Sequence, residues 1–309
     1  LRIIFAGTPV FAATILQALI EGTHEVIAVY TQPDKPAGRG QHLHASEVKQ
    51  LAQAHSIPVY QPASLKSTEV QQEIIALKPD IMVVAVYGTL LPQAVLDIPS
   101  LGCLNVHASL LPQWRGAAPI ARAIAAGDPT IGITMMQMVA ALDAGPMWEK
   151  FILPIESNDT HESLSTRLAV LAAQHINSTL DKIIHGQIVA EPQDAALSSY
   201  APKLFKEEGL IDWQLPATIL ERRVRAFNPW PVAYTHLQGQ LLRIWRAEKI
   251  DGTAQAGKIA ALSAAGIDVG TGEGMLRLQE VQLAGKRPIL AGELFKTKHP
   301  LFKLGETFT

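Results

Sequence analysis

Through residues 1–185, apolar runs of strand length alternate with segments of helical spacing, which leaves few folds open. Residues 3–5 read as an apolar strand, Gly7-Thr8-Pro9 as a turn, and residues 10–20 as a helix. A strand at 25–31 precedes a helix that Ser46 can cap and that runs to about residue 55. Residues 58–60 read as a short strand, 67–77 as a capped helix and 80–86 as an apolar strand. Pro92 suits the first turn of a short helix. Strands at 103–107 and 132–138 flank an Ala-rich helix near 119–126, and a strand at 148–154 leads to a long amphipathic helix at 160–185. This order predicts an α/β fold with a Rossmann-like, mostly parallel sheet and flanking helices. In such sheets, ligands bind beyond the carboxyl ends of the strands.

The pattern then changes. Residues 186–202 are rich in Gly, Pro, Gln, Asp and Ser and read as a linker. A short helix at 221–227 precedes strands at 241–247, 257–262, 267–270 and 275–281, separated by Gly turns. Short strands at regular spacing predict a small β-barrel. The expected organisation is a domain over 1–186, a linker over 187–205 and a barrel domain over 206–309. Residues 1–205 carry 12 Lys+Arg against 17 Asp+Glu, and residues 206–309 carry 14 against 11. A basic second half hints at a polyanionic partner, although excesses this small often reflect solubility alone.

Several classes are excluded. With 48% apolar and 17% charged residues, the composition is that of a soluble globular chain. Cys103 is the sole cysteine, which rules out an internal disulfide or a Cys-based zinc site and fits a reducing cytoplasm. The ten His residues show no H-E-x-x-H spacing. Neither a signal-peptide pattern nor a membrane-length apolar run is present. The first turn lacks G-x-G-x-x-G, and neither a P-loop nor a G-x-S-x-G elbow occurs, which argues against a dehydrogenase, an NTPase and a serine hydrolase.

The chemistry concentrates in residues 101–116. Along a strand at 103–107, Cys103, Asn105 and His107 share one face and Leu104 and Val106 the other. An Asn amide can steady a developing oxyanion, and a His can move a proton near neutral pH. A polar pair on an apolar strand needs a partner or a task. Taken alone, the pair fits equally well a solvated strand end whose His is hydrogen-bonded to backbone.

The surroundings shift that balance. The run Asn105-x-His107-x-Ser109-Leu110-Leu111-Pro112, then Trp114-Arg115-Gly116, then Leu142-Asp143-Ala144-Gly145 closely resembles the signature of the folate-dependent formyltransferases. The rest of the chain resembles the branch of that family acting on methionyl-tRNA. The resemblance implies 10-formyltetrahydrofolate as formyl donor, initiator methionyl-tRNA as acceptor, no metal, a monomer and an OB-type C-terminal barrel that binds tRNA. It implies catalytic roles for Asn105 at the oxyanion, His107 in proton movement and Asp143 in orienting and charging His107. Taken alone, Asp143 before Ala144-Gly145 reads as a turn residue; beside the Asn-x-His motif it reads as catalytic. Ser109, Leu110, Leu111 and Pro112 would line the folate site. Arg39 would sit at the tip of a long basic loop (residues 32–46) that contacts the tRNA acceptor stem.

Phe227-Asn-Pro-Trp-Pro231 is a further family hallmark and reads as structural, with Trp230 packed. Lys206, Arg222, Arg223, Arg225, Arg243, Arg246, Lys286 and Arg287 are candidate phosphate contacts. The chain departs from the family at Val10, Gln41, Ala144 and Pro146; Pro146 removes a backbone donor beside Asp143. Rival readings are a sugar-nucleotide formyltransferase, a formyltetrahydrofolate hydrolase and a non-catalytic tRNA-binding module. The intact trio argues against the last.

Overall fold

The computed structural model describes residues 1–37 and 42–309. Seven strands form the first sheet: β1 (Arg2–Gly7), β2 (Glu25–Tyr30), β3 (Val59–Tyr60), β4 (Ile81–Ala85), β5 (Cys103–His107), β6 (Thr130–Gln137) and β7 (Met147–Pro154). Their order is β7-β6-β5-β4-β1-β2-β3. Strands β5, β4, β1, β2 and β3 pair in parallel, while β6 and β7 join antiparallel at one edge. The expected mostly parallel sheet is therefore present, with an antiparallel edge whose direction the alternation of elements does not encode.

Every residue of β4 is buried, as expected of a central strand covered on both faces. The flanking helices begin with α1 (Val10–Ile20), α2 (Glu47–Ala54), α3 (Thr68–Leu77) and α4 (Gln93–Leu96), and α5 (Pro119–Ala126) follows β5 in the chain. The hydroxyl of Ser46 accepts the Lys49 N–H at 3.1 Å, and that of Ser67 accepts the Val70 N–H at 3.3 Å, so both expected caps form. One core joins Ile4, Tyr30, Met82 and Val84 of the sheet to Ile74 and Val95 of the helices. In α6 (His161–Ile184), Leu164, Leu168, Ala172, Ile176 and Leu180 are buried at a four-residue repeat, which gives the helix its packed stripe. Burying one such Leu or Ile contributes roughly 1.5–3 kcal/mol.

The second sheet contains β8 (Ala233–Leu237), β9 (Gln240–Ile250), β10 (Ile259–Ser263), β11 (Gly266–Gly270), β12 (Met275–Leu283) and β13 (Ile289–Leu290), with helices α7 (Ala217–Ala226) and α8 (Ala291–Lys296). It is antiparallel in the order β8-β9-β12-β11-β10, and β13 pairs with β12. Residues 306–309 bridge its two outer strands. Phe308 pairs with Leu237, and Thr307 pairs with Lys258 at the start of β10. Thr309 exchanges two backbone hydrogen bonds with His236, at 2.8 and 2.9 Å. This last segment, which the sequence reading did not include, closes the sheet into a barrel. Among the described residues, no helix is long and apolar enough to cross a membrane.

The chain divides into two interleaved compact units. One comprises Leu1–Pro119, Thr130–Pro154 and Ser165–Ala201; the other comprises Ile120–Pro129, Ile155–Leu164 and Pro202–Thr309. Within the second, Arg122 grips Glu208 with bonds of 2.6 and 3.0 Å. Arg225 is paired with Glu221 and donates to the Asp159 carbonyl at 2.9 Å. Arg222 donates to the Ala126 carbonyl at 3.2 Å. Arg222 and Arg225 thus commit donors inside the unit. Lys206, Arg246, Lys286 and Arg287 are exposed. Trp230 is 54% exposed, against expectation, while Phe227 and Val232 on either side of it are buried.

Candidate active site

The register of β5 sets the site. Asn105 lies opposite Val84 of β4 and Met136 of β6, and His107 lies opposite Thr134. Both residues stand at the carboxyl end of β5, with His107 buried and Asn105 half-buried. Asp143 arrives from the turn after β6 with φ of +47°. This left-handed conformation is one that Asp adopts more readily than most residues. Gly145 closes the turn; a Cβ there would collide with the Gln137 carbonyl oxygen. Pro146 takes part through its own carbonyl, which accepts the Gln137 N–H at 2.8 Å, so its missing N–H leaves that link intact.

The three residues converge. Asn105 Nδ2 donates to Asp143 Oδ1 at 3.4 Å, and His107 Nδ1 lies 3.8 Å from Asp143 Oδ2. The Gly116 N–H donates to that same Oδ2 at 2.9 Å. On the far side of the ring, His107 Nε2 lies 3.0 Å from the Trp114 carbonyl oxygen. A carbonyl only accepts, so Nε2 carries a proton, and Nδ1 is where the neutral ring can take up another. The side chains of His107 and Asp143 are 7% and 14% exposed, so little water screens their interaction. Among the described residues, no cluster of three or more His, Cys, Asp or Glu could hold a metal. Burial, with Asp97 nearby, pushes the Cys103 thiol up to about 12, leaving it inert as a nucleophile.

Residues 109–112 are pinned from beneath. The Ser109 hydroxyl is buried and donates to the Gln113 carbonyl at 2.6 Å. The Thr134 hydroxyl donates to the Ser109 carbonyl at 2.7 Å and accepts the Leu111 N–H at 3.1 Å. Lys150 Nζ donates to the Leu111 carbonyl at 2.7 Å. Leu111 packs with Met136 and Met147. Ser109 and Leu111 thus shape the loop from within, while Leu110 and Pro112 remain half-buried. Nearby strand ends leave apolar side chains uncovered: Val86 and Leu90 after β4, and Leu142 beside Asp143. Arg39 lies outside the described residues.

Sequence reasoning missed two contributors. Arg115 is a buried cation whose Nε and Nη2 donate to Gln193 Oε1 at 3.0 and 2.7 Å. Gln193 Nε2 donates to the carbonyls of Asp143 and Gly145, each at 2.8 Å. The segment expected to be a linker therefore does more than connect. Tyr200–Ala201 pairs in parallel with Arg115–Gly116, and Ser199 takes the N–H groups of Trp114 and Arg115. A Gly- and Pro-rich composition reports local turns, and it says nothing of where the backbone finds partners.

Residues 1–180 match the formyl transferase family, and residues 203–299 match its C-terminal domain. Over 305 residues the chain is 53% identical to the methionyl-tRNA formyltransferase of Ectopseudomonas mendocina, covering 99% of this chain and 97% of that protein. The chain belongs to the methionyl-tRNA formyltransferase family. Distant solved structures share its fold. The N-formyltransferase of Helicobacter canadensis, solved with folinic acid and dTDP-3-aminofucose, superposes with a TM-score of 0.68 at 16% identity, over 93% of this chain and 100% of that one. HypX of Aquifex aeolicus superposes with a TM-score of 0.65 at 17% identity over 98% of this chain, which spans 48% of that longer protein. In this formyltransferase chain the family signature is the stretch that brings Asn105, His107 and Asp143 together.

Proposed function

We infer that the protein transfers the formyl group of 10-formyltetrahydrofolate to the α-amino group of initiator methionyl-tRNA. The observation that carries this reading is the convergence of Asn105, His107 and Asp143 at the carboxyl end of β5. The donor supplies a formyl carbon activated as an amide on a folate nitrogen. The acceptor amine attacks that carbon, a new C–N bond forms, the old one breaks, and the amine proton leaves for the departing nitrogen.

Each residue has a part in that exchange. Negative charge develops on the formyl oxygen, and an N–H of Asn105 is placed to receive it. His107 Nδ1 can carry the proton, with the Asp143 carboxylate balancing the charge the ring gains. The uncovered apolar side chains of Val86, Leu90 and Leu142, and the half-buried Leu110 and Pro112, suit a planar aromatic donor. Residues 1–186 carry this chemistry, and residues 206–309 offer exposed cations to tRNA phosphates. Arg39 adds a contact to the acceptor stem. The reading takes the protein as a monomer of the cytoplasm, a compartment where the single thiol of Cys103 stays reduced.

The test is a formyl-transfer assay with initiator Met-tRNA, elongator Met-tRNA, a sugar-nucleotide amine and water as acceptors. Transfer to initiator Met-tRNA, far above the others, supports the reading. Preference for the sugar amine, or release of free formate, overturns it.

A further inference from the structure

Asp143 is held at two points, and the two holds form one closed ring. Its carboxylate takes the Gly116 N–H at 2.9 Å. Its backbone carbonyl takes Gln193 Nε2 at 2.8 Å, and Gln193 Oε1 takes the Arg115 guanidinium at 2.7 and 3.0 Å. Arg115 and Gly116 are adjacent, so the ring closes through one peptide bond. Gln193 also holds the Gly145 carbonyl at 2.8 Å, so one amide group grips the backbone at the left-handed Asp143 and again where the chain leaves the turn. The guanidinium is buried, and that burial is costly unless its donors are matched. The amide oxygen of Gln193 matches two of them, leaving its nitrogen no choice but to face the turn.

We propose that Gln193 is a positioning residue, one that fixes the Asp143 carboxylate toward Asn105 and His107 by gripping the backbone at Asp143 and two residues after it. The proposal rests on the catalytic reading of Asp143 given above. Only a side chain that accepts at one end and donates at the other completes the ring. Glutamine does both; glutamate, ionised, can only accept. The segment from Gln193 to Ala201 then acts as a clasp on the catalytic turn. A misplacement near 1 Å at such a group costs about 10²-fold in rate.

The test uses the full chain with Gln193→Ala and Gln193→Glu, alone and in an Asp143→Asn background. In the glutamate variant, Arg115 keeps a partner, so thermal stability should hold while the grip on the turn is lost. Both variants should lose about 10²-fold in kcat, with KM for folate and for Met-tRNA within about threefold of wild type. In the Asp143→Asn background either change should add little, because the effect acts through Asp143. Wild-type turnover in Gln193→Glu would show that Gln193 only neutralises Arg115, and would overturn the proposal. So would losses that multiply in the Asp143→Asn background. Should the wild-type chain not formylate Met-tRNA at all, the functional reading fails while the positioning remains testable by NMR. The His107 ring resonances must then move in Gln193→Glu, and unchanged resonances would overturn it.

Discussion

Asn105 Nδ2 points one N–H at Asp143 Oδ1, 3.4 Å away, which leaves its second N–H as the donor free to meet a substrate oxygen. The carboxylate therefore fixes the direction of the amide as well as facing the imidazole. Replacing Asn105 with Ala removes the oxyanion donor and should lower kcat by about 10²–10³-fold with folate affinity little changed. Steady-state kinetics beside a folate titration checks this, and activity within a few fold of wild type would exclude the role.

His107 and Asp143 should behave as one unit. Their facing atoms are 3.8 Å apart, and neither side chain is more than 14% exposed. His107→Ala and Asp143→Ala should each be severe, and the double variant only slightly worse than the more damaging single change. Losses that multiply would mean that the two act independently.

Gly145→Ala should damage stability and turnover together. The added Cβ collides with the carbonyl of Gln137, so the turn must shift. Overpacking of this kind costs roughly 1–3 kcal/mol. A melting curve for the variant that overlays wild type, with normal kcat, would refute the tight fit.

Glu208 makes part of the stability pH-dependent. Its hydrogen bonds from Arg122 hold the carboxyl below its ordinary value of 4.5. A carboxyl lowered in the folded state favours folding fully above its unfolded value, and that contribution fades as pH falls through the folded value. Glu208→Gln should therefore be less stable than wild type at pH 7, with the gap closing under acid. Urea midpoints from pH 7 to pH 3 measure it; a gap that does not change with pH would count against the pairing.

The contact with tRNA should be ionic. KM for Met-tRNA should rise steeply with salt, whereas KM for folate should change little. Trypsin should cut after Arg39 in the free protein and be blocked by saturating initiator tRNA. Equal cleavage with and without tRNA would remove the loop from the interface.

Much of this arrangement could be read from the residues. The Ser46 and Ser67 caps, the buried run of β4 and the alternation that puts Asn105 and His107 on one strand face are all local patterns, and local patterns survive in a sequence. Gln193 was invisible for the opposite reason. Its role depends on Arg115, 78 positions away, and its neighbours carry only turn-forming composition. The closing segment at 306–309 is short and lies beside strands far from it in sequence, so no periodicity announces it. Trp230 departs from expectation because a large aromatic ring is usually packed, and here it is Phe227, three residues earlier, that is buried.

The interleaving of the two units limits how such a chain can be recombined. Ile120–Pro129 and Ile155–Leu164 belong with Pro202–Thr309. A crossover placed at residue 202, between this protein and a relative, would pair one parent's Arg122 with the other's residue at Glu208 and strand the Asp159 carbonyl opposite a foreign Arg225. A working chimera has to exchange three stretches of chain at once. The second half is thus no removable cassette, and its residues are constrained by two short stretches inherited from the middle of the first.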